Sequence, residues 1–246
     1  MNRIYILFFS LFILTSCGNK RDGEQKTGLL SNFVSISDNE DKGVKEILGF
    51  YGGYCEYSIG VSASTEDGKK KYFELKMSQS DAIEKLADKI EMPASNIAYL
   101  FYRNLKDEKE NYDEIHSVII FKDGTEKTFE YSTKQLETVH KRMNVVNKVV
   151  ELINSNDFDT LKSMLNNELV EFNKDELITN LENANPKLGK VTEFNPYGFR
   201  INNSKSGIEI LHVSGAMIRE IQNNAFSVDL DLNSEKEEIY LLQYKL

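Results

Sequence analysis

Five side chains in this 246-residue chain offer themselves for chemistry: two cysteines, Cys17 and Cys55, and three histidines, His116, His140 and His212. A cysteine supplies a nucleophile, a metal ligand, half a disulfide or an acylation point, and a histidine supplies a base near neutral pH or a metal ligand. Their surroundings match none of the local patterns that organise such chemistry. The chain has no Gly-x-Ser-x-Gly elbow, no Walker phosphate loop, no Cys-x-x-Cys and no His-Glu-x-x-His. The histidines stand too far apart for a local metal motif, so no catalytic residue, metal or cofactor is expected.

Cys17 closes a three-part N-terminal signal. Arg3 supplies positive charge, Ile4 to Leu14 is apolar apart from Ser10, and Thr15 and Ser16 are small residues before the cysteine. That apolar run is little more than half of the roughly 20 residues a membrane-spanning helix needs. Leu14-Thr15-Ser16-Cys17 resembles the lipobox of bacterial lipoproteins. The resemblance implies cleavage before Cys17, a diacylglyceryl group on its sulfur and acylation, palmitate for example, of the new amino terminus. Residues 1–16 are then the signal peptide and Cys17 is the lipid attachment point on a membrane of the cell envelope, at its periplasmic face or the cell surface. Two or three acyl chains, at about 0.8 kcal/mol per buried methylene, make a durable anchor where one chain does not.

A lipidated Cys17 leaves Cys55 without an intrachain disulfide partner. Cys55 alternates with Tyr57, Ile59, Val61 and Ala63, which reads as a small core residue on a strand. Loss of Arg3 with the signal moves the formal charge from −9 to −10. So acidic a chain, whose short runs Lys20-Arg21 and Lys69-Lys70-Lys71 are interleaved with acids, is not expected to bind nucleic acid.

Residues 17–42 read as the lipidated cysteine and a flexible polar tether. An α+β region of unknown family follows over 43–135, expected to be antiparallel. Its elements are a hairpin from Cys55–Ala63 through Glu66-Asp67-Gly68 to Phe73–Met77, then a helix capped by Ser78 and stopped by Pro93. Strands at Ile97–Leu105, Ile115–Phe121 and Thr128–Tyr131 complete it, the last pair joined by a type I′ turn at Asp123-Gly124. Ser132 and Gln135 cap a long connecting helix striped with Leu136, Val139, Met143, Val146, Val149, Val150 and Ile153, its polar face carrying Glu137, Lys141 and Arg142.

The remaining chain, 136–246, places helices before strands. Asn173-Lys174-Asp175-Glu176 caps a short helix, and Pro186 and Gly189 end the helical half. A meander follows: Ile208–Ile218, Phe226–Leu232 and Ile239–Leu246. Val146–Ile153 running into Asn156–Leu161, then Leu188-Gly189-Lys190-Val191, then the meander, resemble the nuclear-transport-factor-2-like cone fold over about residues 144–246. Members curl a sheet around helices to leave a pocket, so the resemblance implies pocket-lining positions at His212, Ile210 and Ala216. In enzyme members a pocket histidine or acid acts as base; a buried histidine bonded to a neighbour explains His212 as simply. Asp229 and Asp231 read as solvent-facing.

Function is expected to be that of an anchored, non-enzymatic envelope protein whose partner is a second protein or a small ligand. The alternative is a small-molecule or enzymatic pocket in the C-terminal region.

Overall fold

The computed structural model describes residues 35–64, 68–167, 173–204 and 206–245. Cys17, its signal, most of the expected tether, and Glu66 and Asp67 lie outside them. The class is α+β, with a four-stranded mixed sheet and a four-stranded antiparallel sheet. Among the described residues no helix is long and apolar enough to cross a membrane.

Helix α1 (Asp38–Tyr51) begins inside the stretch expected to be tether. Ser37 Oγ accepts the Glu40 N–H at 3.2 Å, and the Glu40 carboxylate accepts the Ser37 N–H at 2.8 Å. This reciprocal capping box satisfies two amides that a bare helix start leaves unpaired. Val44, Ile47, Leu48 and Tyr51 then bury one face.

Strands β1 (Tyr54–Ser64) and β2 (Gly68–Ser78) form the expected antiparallel hairpin, with Cys55, Phe73, Leu75 and Met77 wholly buried. Two expectations fail beyond it. The segment expected as a strand at Ile97–Leu105 is mostly helix, α3 (Glu91–Asn104), and β2 runs parallel to β3 (Glu114–Ile120), so the first sheet is mixed. The two corrections share one cause, because parallel neighbours need a crossover and α3 supplies it. Pro93 opens this helix instead of ending the previous one. In the first turn its missing N–H leaves no bond unmade. The preceding helix shrinks to α2 (Asp81–Glu84), capped by Ser80 where Ser78 was expected, with one 3₁₀ turn after it.

Strand β4 (Glu126–Ser132) pairs antiparallel with β3. The connection is a three-residue loop. Phe121 N–H donates to Thr125 O at 2.9 Å, Gly124 N–H donates to Phe121 O at 2.9 Å, and Gly124 alone has positive φ, 85°. That is a type I turn with a glycine bulge, not the expected type I′.

Ser132 caps the long helix α4 (Thr133–Ser155), whose predicted stripe is buried. Arg142, expected on its polar face, is also buried and donates to the Ser234 and Lys236 carbonyls at 2.8 and 2.9 Å. It thereby holds the last loop of the meander to the helix. Helix α5 (Phe158–Met164) follows after Asn156 in the left-handed region, and α6 (Lys174–Leu188) is capped by Asn173 and carries Pro186 inside its last turn.

The second sheet runs β5 (Val191–Asn203), β6 (Glu209–Arg219), β7 (Asn224–Asp231) and β8 (Ile239–Lys245), each antiparallel to the next. Strand β5 was absent from the sequence expectation. It carries two bulges, between Val191 and Glu193 and between Pro196 and Gly198, which break the alternation that marks a strand. Proline is tolerated there because β5 is an edge.

The expected division at 135/136 falls at the start of α4, and the apolar core is continuous across it. Helix α3 is the reason. It is buried almost throughout, packed by α1, by β3 and β4 of the first sheet, and by β5 of the second.

Candidate functional site

Strand β6 separates core from site by simple alternation. Leu211, Val213 and Met217 point to the buried side, while His212, Ser214, Ala216 and Ile218 occupy the other face and are partly accessible. Pairing with β5 and β7 then aligns Arg200, His212 and Asp229 in one row across three strands. His212 Nδ1 lies 2.6 Å from Asp229 Oδ1, with the two side chains 17% and 21% exposed. A carboxylate on Nδ1 fixes the ring and leaves Nε2 as its other polar atom.

The β5 bulge brings this face against the start of α3. Gly198, at φ 144°, approaches so closely that an added Cβ would lie 1.9 Å from Met92 O. Next to it Phe199 N–H donates to Ser95 Oγ at 2.8 Å, and Ser95 Oγ donates to Met92 O at 2.9 Å. The result is a groove of about 370 Å³ between the α3 start and the sheet.

Among the described residues its lining contains Lys89, Arg200 and His212, together with Tyr197, Ser214, Ser227 and Gln243, and no carboxylate. In a chain with formal charge −9 that segregation is the site's main electrostatic feature. Asp229 is bonded to His212 but does not itself line the groove. Ser227 Oγ donates to Gln243 Oε1 at 3.3 Å, and neither serine is hydrogen-bonded to His212. The imidazole thus has an orienting acid on Nδ1, and among the described residues no hydroxyl is hydrogen-bonded to it.

A larger groove of about 860 Å³ opens alongside and shares Tyr197 and Ala225 with the first. Its walls come from α1, α3 and the second sheet, with Phe50, Phe194 and Asn195 among them. Arg103 on one wall is ion-paired with Glu46, which also accepts from Asn104.

The three pocket positions expected from sequence therefore separate. His212 lines the smaller groove, Ala216 the larger, and Ile210 neither. The face of β6 opposite to His212 is filled by buried apolar side chains. Asp229, read as solvent-facing, is the partner of His212, while Arg200 and Lys89 were missed altogether. Only the register of β5 on β6 brings Arg200 opposite His212, and no local pattern encodes that.

The other two histidines lie elsewhere. His140 Nδ1 is 3.2 Å from Tyr99 Oη, and burial, reinforced by Lys109 and Arg103, lowers its pKa below the ordinary histidine value. His116 is buried on the first sheet beside Glu114. Cys55 is fully buried, and burial pushes its thiol pKa up to about 12, as expected for an inert core residue.

No protein-family model matches the chain, and neither a curated protein nor a solved structure shows significant similarity to it.

Proposed function

We propose that this chain is a lipid-anchored protein of the bacterial envelope that binds a small oxyanion, a carboxylate or phosphate group, in the groove between the α3 start and the second sheet. The anchor rests on the lipobox-like Leu14–Cys17. The ligand class rests on one observation: among the described residues, Lys89, Arg200 and His212 share a lining without a carboxylate. Arg200 offers planar paired donors suited to a two-oxygen group, Lys89 a point charge, and the serine and tyrosine hydroxyls adaptable donors. The reading is non-enzymatic because the sequence carries none of the local catalytic motifs.

Titration calorimetry of the full-length chain with inorganic phosphate and with succinate tests the ligand class. Saturable binding of either, weakened about tenfold (about 1.4 kcal/mol) by Arg200→Gln, is the expected result. Absence of binding to both, or affinity indifferent to Arg200→Gln and Lys89→Gln, would overturn it. A hydrolytic activity abolished by His212→Ala would replace it with an enzyme. The anchor is tested separately: Cys17→Ser should move the protein out of the membrane fraction and abolish lipid labelling.

A further inference from the structure

The outer face of the first sheet carries a second constellation, distant in sequence from the groove and unrelated to it in chemistry. Glu114 and His116 are two apart on β3 and so share a face, and the β3–β4 register sets Glu130 directly opposite His116. One ligand atom from each lies within 4.8 Å of the other two. We propose that Glu114, His116 and Glu130 bind a divalent transition-metal ion of the zinc class.

The geometry favours this over an incidental cluster. His116 Nε2 is 3.0 Å from Glu114 Oε2. Zinc holds nitrogen and oxygen ligands at about 2.0 to 2.2 Å in a tetrahedron, which sets neighbouring ligand atoms roughly 3.3 Å apart. Two of the three ligands are thus already at coordination spacing, with a proton where the metal would sit. Glu130 is exposed on the edge strand, with a carboxylate oxygen within 4.8 Å of the other two ligand atoms.

The imidazole is also pre-oriented. Tyr72 stacks on His116 at 4.2 Å between centroids and 12° between planes. Tyr72 is in turn seated over Gly60, where an added Cβ would fall 2.4 Å from the phenol ring. Glycine at position 60 therefore makes room for the tyrosine that fixes the histidine plane, an arrangement of the kind that supports a ligand from behind.

Lys70 Nζ binds Glu114 Oε1 at 3.0 Å, the oxygen turned away from His116. It fixes that carboxylate and leaves Oε2 to the ion. With a neutral imidazole the four groups sum to −1, a charge that a dication can answer. One nitrogen and two carboxylates suit zinc, whereas magnesium and calcium take oxygen ligands alone. Water would complete the coordination.

The test is calorimetric titration of zinc chloride into the full-length chain in detergent, with Cys17→Ser in every sample so that its thiol contributes nothing. The expected result is one zinc equivalent per chain, lost in His116→Ala and weakened at least about tenfold in Glu130→Gln. Because His116 is buried and its replacement risks the fold, Glu130→Gln on the exposed edge carries the decision. Failure of the parent chain to bind zinc, or affinity unchanged by Glu130→Gln, would overturn the site and leave a salt-bridge network with Lys70.

Discussion

Both sheets pack against α3, but they grip it by different means. The first sheet uses side chains: the Phe73 ring meets Phe101 at 4.2 Å between centroids with the planes tilted by 30°, and Ser117 Oγ donates to the Ala94 carbonyl at 2.9 Å. The second uses its backbone: the Gly198 bulge lies on the Met92 carbonyl, and the Phe199 amide bonds Ser95. A side-chain contact can repack when one member changes size, whereas backbone against backbone has nowhere to go. The groove is built on the second, less forgiving contact.

Gly198→Ala should give the largest effect in the molecule. It adds an atom 1.9 Å from a carbonyl oxygen at a φ of 144°, where side chains are strained. A loss of about 3 kcal/mol or more is expected, visible as a lowered chemical-denaturation midpoint or loss of soluble protein. A stability within 1 kcal/mol of wild type, on the order of a surface change, would show that the seam is elastic.

Ser95→Ala should come next, at about 1 to 3 kcal/mol, because it leaves the buried Phe199 amide without its acceptor. A loss well under 1 kcal/mol, smaller than that desolvation penalty, would mean water replaces the hydroxyl and the seam is wetter than drawn. Ile119→Val, a methylene removed from the side-chain grip of the first sheet, should cost only about 0.5 to 1.5 kcal/mol. If it matched Gly198→Ala, the distinction between the two grips would collapse.

The smallest expected effect is one of pH. Burial lowers the pKa of His140 in the folded chain, so protonation favours the unfolded chain. The sign follows: nothing is lost above the ordinary histidine value of about 6.5, and stability falls as pH drops below it toward the folded-state value. Thermal melts at about pH 7 and pH 5.5 should differ less in His140→Gln than in wild type, although that variant also alters the 3.2 Å contact with Tyr99.

Legibility in the sequence followed the same divide. Elements with one solvated face were readable: the β1–β2 alternation, the α4 stripe and its Ser132 cap, and β6 to β8. Helix α3 was not, because packing against both sheets and α1 makes Ile97–Tyr102 an unbroken apolar and aromatic run, as a buried strand would also be. Strand β5 was hidden by the bulges and Pro196 that let it meet α3. Helix α1 was legible in principle, since Ser37-x-x-Glu40 is a capping box lying unremarked in a polar stretch. At the site, His212 was visible as a candidate, but its row with Arg200 and Asp229 depends on pairing among three strands. Pairing register is a tertiary property that local periodicity does not carry.

The enclosure of α3 also dictates an order of events in time. Its covering surfaces are spread from α1 through β5, so the chain must extend to Asn203 before the helix can be fully shielded from water. Until then Ile97, Leu100 and Phe101 belong to an unfinished surface, and anything that pauses the chain between β4 and β5 prolongs that exposure. The first half of this protein is therefore a poor candidate for independent existence, and a truncation ending near Ser155 should be held by chaperones or cleared by proteases instead of accumulating.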